Sequence, residues 1–274
     1  MRKLVTGIVI MSFILVLAAC GTNEEDTSDT DNTSTSDESA SLYDEVMDKG
    51  VLTVGTEGTY APFTFHDNDG ELTGYDVEVI REVAERMGVE VEFMETQWDS
   101  MFAGLNSERF DLIANQVGIN EDRLESYDFS NPYTYSSAVV VAPTDSEDIN
   151  SFEDLEGLSS AQSLTSNFGE IAKENGAEIV SVEGLAQSIE LLKTGRADVT
   201  VNDKLAVLDY LNQEGDESVQ IVAEEDNVSE TAFALNQGNE ELVEAINEQL
   251  EAMREDGTLA EISESWFGED VSSQ

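Results

Sequence analysis

Asp76-Val77-Glu78-Val79-Ile80-Arg81-Glu82-Val83-Ala84-Glu85-Arg86-Met87-Gly88-Val89-Glu90-Val91-Glu92-Phe93 changes its hydrophobic period partway along. Val77, Ile80, Ala84 and Met87 recur at helical spacing and form one stripe, which Gly88 closes. Val89, Val91 and Phe93 then alternate, as in a strand with one buried face. Upstream, Val51-Leu52-Thr53-Val54 is a short apolar run stopped by Gly55, which reads as a buried strand. Downstream, 98–106 is helical through Met101, Phe102 and Leu105, and 111–115 is the next strand. This β-α-β-α-β order predicts a mostly parallel α/β sheet with helices on both faces.

A second block repeats the pattern. Strands are expected at 138–142, 158–161, 178–182, 197–201 and 218–223, with helices at 166–174, 185–194 and 203–212. A helix over 240–255 carries Val243, Ile246, Leu250 and Met253, and a last short one ends near Trp266-Phe267. Two blocks and a late return segment predict two lobes joined by two crossover strands, Ala138-Val139-Val140-Val141-Ala142 and Thr231-Ala232-Phe233-Ala234-Leu235. Lobe 1 is then 42–138 with 235–274, and lobe 2 is 139–234. Ligands bind such folds at the carboxyl ends of strands and in clefts between domains, so the residues after each strand are the candidate site.

The 274 residues include 60 acidic and 12 basic ones, a formal net charge of -48. No basic footprint is available to offset phosphate repulsion, which excludes nucleic acid as a partner. Self-repulsion of this size is screened by salt, so the surface suits a salty or alkaline exterior. Met1-Arg2-Lys3 precedes an apolar run over 4–17 that is too short for a spanning helix and leads into Leu17-Ala18-Ala19-Cys20-Gly21. Residues 1–19 read as an export signal. Cys20 is the only cysteine, so no disulfide forms within the chain. Residues 20–41 are largely Thr, Ser, Asp, Glu and Asn and are expected to form a disordered acidic tether.

The segments after the strands carry a consistent set of motifs. They are Gly55-Thr56-Glu57-Gly58-Thr59-Tyr60-Ala61-Pro62-Phe63, Gly74-Tyr75-Asp76-Val77 and Gln97-Trp98-Asp99-Ser100-Met101. Asn115-Gln116-Val117-Gly118-Ile119-Asn120-Glu121-Asp122-Arg123, Tyr127-Asp128-Phe129-Ser130-Asn131-Pro132-Tyr133 and Asp256-Gly257-Thr258-Leu259-Ala260 follow. In order and spacing the set resembles the polar-amino-acid-binding proteins of ABC importers, bacterial solute-binding protein family 3, over nearly everything after residue 45. Ala114-Asn115-Gln116-Val117 and Gln162-Ser163-Leu164-Thr165-Ser166-Asn167 are most similar to the cystine-binding branch. The Leu-Ala-Ala-Cys ending resembles a bacterial lipoprotein signal, which implies a lipid (palmitate) anchor on Cys20 at the cell membrane; an uncleaved anchor with an incidental cysteine is the alternative.

The resemblance implies a type II periplasmic-binding-protein-like fold, no cofactor, no metal, a monomer, and permease subunits as partners. It also implies roles for residues. An amino acid presents a carboxylate and an ammonium, so its site needs a fixed cation and acceptors. Arg123 matches the carboxylate-clamping arginine, whose guanidinium forms two parallel bonds. By spacing alone it reads as a surface arginine beside Glu121 and Glu125. Asp203 matches the ammonium-binding aspartate and also suits a helix N-cap. Asn115, Gln116 and Gly118 from one lobe, with Ser163 and Thr165 from the other, are expected to complete the shell. Glu57 is a second acceptor or an ordinary loop carboxylate. Tyr60, Phe63 and Trp98 are expected to form the apolar walls of the cleft, with routine core packing as the alternative; Tyr60 and Trp98 match wall positions in the family, and Phe63 is the one that also reads as purely structural. Gln116 and Gly118 replace serines of the basic-amino-acid-binding branch, which favours a longer neutral ligand such as cystine; glutamine is the alternative. His66 reads as an exposed loop residue beside Asp67-Asn68-Asp69-Gly70, which lacks a calcium loop's ligand set. A dehydratase on the same fold is the rival of another class, but no histidine, cysteine or lysine of the cleft set has an activating partner. A sensor presenting an amino acid to a receptor is a third reading.

Overall fold

The computed structural model describes residues 40–215 and 217–273. The signal at 1–19, Cys20 and the tether up to residue 39 lie outside them. Ser41, expected to end the tether, caps α1 (Leu42–Lys49) by accepting the Asp44 N–H at 3.3 Å. Next come β1 (Val51–Thr56), β2 (Thr59–Tyr60), β3 (Thr64–His66), β4 (Leu72–Thr73), α2 (Tyr75–Met87) and β5 (Glu90–Glu95). They are followed by α3 (Trp98–Asn106), β6 (Leu112–Gly118), α4 (Glu121–Leu124), β7 (Tyr127–Phe129) and β8 (Thr134–Ser136). The second block holds β9 (Ala138–Pro143), β10 (Ser159–Gln162), α5 (Asn167–Glu174), β11 (Glu178–Ser181), α6 (Leu185–Lys193), β12 (Thr200–Asp203), α7 (Lys204–Glu214) and β13 (Val219–Glu224). The chain returns through β14 (Ser229–Asn236), α8 (Glu240–Asp256) and α9 (Thr258–Phe267).

The first sheet has the order β5-β1-β6-β14-β7, with β8 also paired to β14. Its pairings make β1, β5, β6, β7 and β8 point one way and β14 alone point back. The second block mirrors it. β10 and β11 are parallel, a parallel bridge from Ser160 to Val199 joins them to β12, and β9 alone runs against β12 and β13. Each lobe is thus mostly parallel with one reversed strand, the two-lobed α/β architecture expected. The first core packs Val79, Ile80 and Val83 of α2 with Leu242, Ile246 and Leu250 of α8. Burying such side chains contributes roughly 1.5–3 kcal/mol each.

The reversed strands are the expected crossover segments, but each belongs to one sheet. Ser136 pairs with Ser229 in the first sheet, and Ala138 pairs with Asp203 in the second, so the outward step falls on Ser137. The return step falls on 225–228, between Glu224 at the end of β13 and Ser229 at the start of β14. Residues 229–234, assigned above to lobe 2, therefore lie in the first sheet. The reason is burial: Val139, Val140 and Val141 of β9, and Ala232, Phe233 and Ala234 of β14, are fully buried, so both runs are core strands. The connections are left to the polar residues beside them.

Gly74 explains one motif. Its φ is 127°, and a Cβ there would collide with the Phe63 carbonyl, so only glycine lets this segment lie against the start of α2. His66 ends β3 and is held at both ring nitrogens, Nδ1 by the Gly58 carbonyl at 3.2 Å and Nε2 by Glu95 at 3.3 Å; it is exposed but not a loop residue. Among the described residues no helix is long and apolar enough to cross a membrane.

Candidate ligand-binding cleft

The carboxyl ends of β1, β5 and β6 in the first lobe face those of β10, β11 and β12 in the second. Between them lies a cavity of about 50 Å3. Glu57, Tyr60, Trp98, Asn115, Gln116 and Ser163 all line it. Sequence reasoning brought these six together from the segments around strand ends and the family motifs they carry, although Asn115 and Gln116 prove to lie inside β6.

Glu57 and Asn115 hold one another. The Glu57 N–H donates to Asn115 Oδ1 at 2.7 Å, and Asn115 Nδ2 donates to Glu57 Oε2 at 2.7 Å. Burial pushes the Glu57 carboxyl up to about 7, against the pull of the Asn115 bond. Asn115 is 1% exposed, so it fixes a carboxylate at the cavity wall. Trp98 is buried at the start of α3, and its Nε1 meets no hydrogen-bond partner.

Gln116 lines the cavity, yet its amide turns away from it. Its N–H and Nε2 each donate to Asp76 at 2.6 Å, Nε2 also reaches Thr134 Oγ1 at 3.1 Å, and Thr231 Oγ1 donates to its Oε1 at 3.0 Å. These bonds hold Gln116 at φ 50°, a left-handed conformation uncommon in a strand. Tyr133 donates to the same Asp76 at 2.9 Å. Asp76 is fully buried, and burial raises its carboxyl to about 6, opposed by these donors. The arrangement makes Gln116 part of the floor, tied to strands β8 and β14 that flank the lobe connections.

Arg123, Gly118 and Thr165 gather behind the cavity wall. Arg123 is 8% exposed; Nη1 donates to the Gly118 carbonyl at 2.9 Å and Nη2 to the Thr165 carbonyl at 3.5 Å. Its Cζ lies 5.4 Å from the Trp98 ring centroid and 5.2 Å from that of Phe102, within cation–π range. Burial lowers the guanidinium to about 10, although Glu170 favours the charge. It makes no ion pair with a carboxylate among the described residues. A Cβ on Gly118 would sit 3.5 Å from Asn167 Nδ2 and 3.7 Å from Arg123 Nη1, ordinary contact distances, which places Gly118 beside both the arginine and the cavity-lining Asn167.

Asp203 is 4% exposed and does not line the cavity. Its Oδ1 caps α7, accepting the N–H groups of Leu205 at 2.8 Å and Ala206 at 3.2 Å. Burial raises its carboxyl to about 6. The neighbouring Asn202, not singled out from sequence, does line the cavity and accepts from the Tyr60 hydroxyl at 2.8 Å. That bond crosses between lobes. So does a clasp built on Asp99, which accepts Thr165 N–H at 3.1 Å, Thr165 Oγ1 at 2.9 Å and Leu164 N–H at 3.4 Å. Asn202 and Glu183-Gly184-Leu185 also stand at strand ends, so the same rule applied to every strand would have found them; Asp99 and Asp76 stood in the quoted motifs without being given a role.

A cavity closed over by two lobes, with a buried arginine and carboxylates but no nucleophile and base in contact, defines a protein that holds a small polar solute. The chain belongs to the bacterial extracellular solute-binding proteins, family 3, whose match spans residues 52–269. It is 52% identical over 273 residues to the L-cystine-binding protein TcyA of Bacillus subtilis (strain 168), covering 99% of this chain and 100% of that protein. Among solved structures, the L-cystine solute receptor of Neisseria gonorrhoeae in its unliganded open conformation is 53% identical, with 86% of this chain and 100% of that one covered, at a TM-score of 0.58. An ABC uptake transporter substrate-binding protein from Streptococcus pneumoniae with bound histidine is 26% identical at the same coverages, yet superposes at 0.80. The better fit to a bound structure at half the identity agrees with the bonds across the cleft: the lobes here are closed. The relatives are binding proteins, and this chain is one too, not an enzyme.

Proposed function

We propose that this chain captures an amino acid outside the cell, L-cystine above all, and presents it to the permease subunits of an ABC importer as a monomer anchored to the membrane by lipid on Cys20. The observation that carries the reading is Arg123. A buried guanidinium without a carboxylate partner is an unfavourable state, and an incoming carboxylate relieves it. Its fork has five donors, of which two are engaged by carbonyls. Glu57 then faces the ammonium from the cavity wall with Asp203 behind it, Tyr60 and Trp98 form the walls, and Ser163, Asn115 and the clasp at Thr165 complete the enclosure. The ligand shifts the population towards closed lobes only through contacts that the open form lacks. The identities of 52% and 53% to two cystine-binding proteins support cystine over glutamine as the ligand.

Calorimetric titration in high salt with the twenty amino acids and L-cystine tests this. Tight one-to-one binding of L-cystine is expected. Preference for glutamine or another polar amino acid would keep the importer role and remove the cystine assignment, and no binding at all would overturn both.

A further inference from the structure

A second chamber of about 330 Å3 opens beside the cleft. It shares Glu57, Thr59, Glu183, Gly184 and Leu185 with the first cavity, so the two adjoin at these residues, called the waist below. Beyond the waist the lining is Glu95, Thr96 and Gln97 from the end of β5, with Ala186 and Gln187 from the first turn of α6. The residues that match the ammonium and carboxylate contacts of the family do not reach this space; apart from Glu57, none of them lines it.

The charge in this chamber is one-sided. Glu57, Glu95 and Glu183 line it, and no lysine or arginine does. They come from both lobes: Glu57 follows β1 and Glu95 ends β5, whereas Glu183 follows β11 in the second lobe. Glu57 and Glu183 line both chambers, so closing the lobes brings carboxylates from opposite sides to the same waist. Without a cation between them that juxtaposition opposes closure, and an ammonium placed there reverses its sign. A distal carboxylate gains nothing from this wall and is left to the solvent side, where the Glu95 side chain is 46% exposed.

Resting on the reading that the ligand is L-cystine, we infer that the second chamber is a subsite for the distal ammonium of a two-headed, disulfide-linked ligand, with Glu183 as the specificity-determining residue of the second lobe. Cα atoms joined through a disulfide lie roughly 4–7 Å apart. The second head thus lies one disulfide length from the first, and Glu57 and Glu183, which line both cavities, are contacts that the two positions share. Selection then acts on the ammonium of that second head, and closure senses it.

The test uses the purified chain and four ligands: L-cystine and the mixed disulfides of L-cysteine with cysteamine, with 3-mercaptopropionate and with methanethiol. The cysteamine disulfide keeps a distal ammonium, the mercaptopropionate disulfide keeps only a distal carboxylate, and the methyl disulfide has neither. The cysteamine disulfide should bind within about tenfold of L-cystine, and the mercaptopropionate disulfide at least about tenfold more weakly than the cysteamine one. In E183Q the ratio of cysteamine-disulfide to methyl-disulfide affinity should fall at least about fivefold. Equal binding of all three mixed disulfides, or a ratio unmoved in E183Q, would overturn the subsite while leaving L-cystine as the ligand. Failure of L-cystine itself to bind would instead overturn the assignment of the ligand, and the subsite with it.

Discussion

Replacing Arg123 by alanine should separate binding from stability. In the empty protein the change removes the bonds to the Gly118 and Thr165 carbonyls and the stacking on Trp98 and Phe102. Net hydrogen bonds contribute about 0.5–1.5 kcal/mol and cation–π contacts about 0.5–2 kcal/mol. Against this stands the relief of a guanidinium that is 8% exposed and has no carboxylate partner, where burial alone costs several kcal/mol. The contributions oppose one another, so unfolding free energy should move by no more than about 2 kcal/mol. Binding has no such compensation. Arg123 stands just behind the wall and no lysine or arginine lines the first cavity itself, so a ligand carboxylate deprived of Arg123 is desolvated without a cation. That costs about 2–5 kcal/mol, a Kd roughly 30-fold to several-thousand-fold higher. Arg123→Lys keeps the charge but loses the two-pronged fork and should fall between. Titration calorimetry with L-cystine, paired with urea unfolding, reads both quantities. A folded Arg123→Ala protein with unchanged Kd would refute the assignment of this residue to the ligand.

The raised carboxyls of Glu57, at about 7, and of Asp76 and Asp203, at about 6, bind protons more tightly folded than unfolded. Their contribution to stability is therefore fullest below the ordinary carboxylate range and declines as pH rises through 4 to 7; Glu57→Gln should flatten the upper part of that decline, checked by urea midpoints at fixed high salt. Asp99→Ala removes the acceptor of the clasp to Thr165 and Leu164 and should weaken ligand binding by about 1–2 kcal/mol while enlarging the apo radius of gyration in solution scattering; unchanged dimensions and affinity would remove the clasp from the closure equilibrium. Gly74→Ala forces a side chain onto the Phe63 carbonyl at a φ of 127° and should destabilise the fold by roughly 2–4 kcal/mol, read as a lower urea midpoint. Cys20→Ser should abolish lipid labelling and shift the protein from membrane to medium or to uncleaved precursor; a variant still labelled like the parent would contradict the anchor.

Much of the cleft was legible because it obeys a local rule. Glu57, Trp98 and Ser163 stand just past strands, and strand ends can be read from apolar runs. Arg123 was legible only through the motif around it: its flanking acids suggest a surface residue, and its burial against Trp98 and Phe102 depends on α3, an earlier helix, packing over it. Gln116 shows the opposite limit. Its amide suits a ligand as well as it suits a buried partner, and only the position of Asp76, forty residues away, turns it into the floor.

By itself the sequence determined the alternation of strands and helices, the two lobes and the choice of strand ends as the site, because hydrophobic period and turn residues act over a few positions. The tertiary structure alone decided where the chain changes lobe, which carboxylates lose water, and which bonds cross the cleft. Those properties depend on distances between segments far apart in the chain, and desolvation and hydrogen bonding are set by what surrounds a group, not by what precedes it.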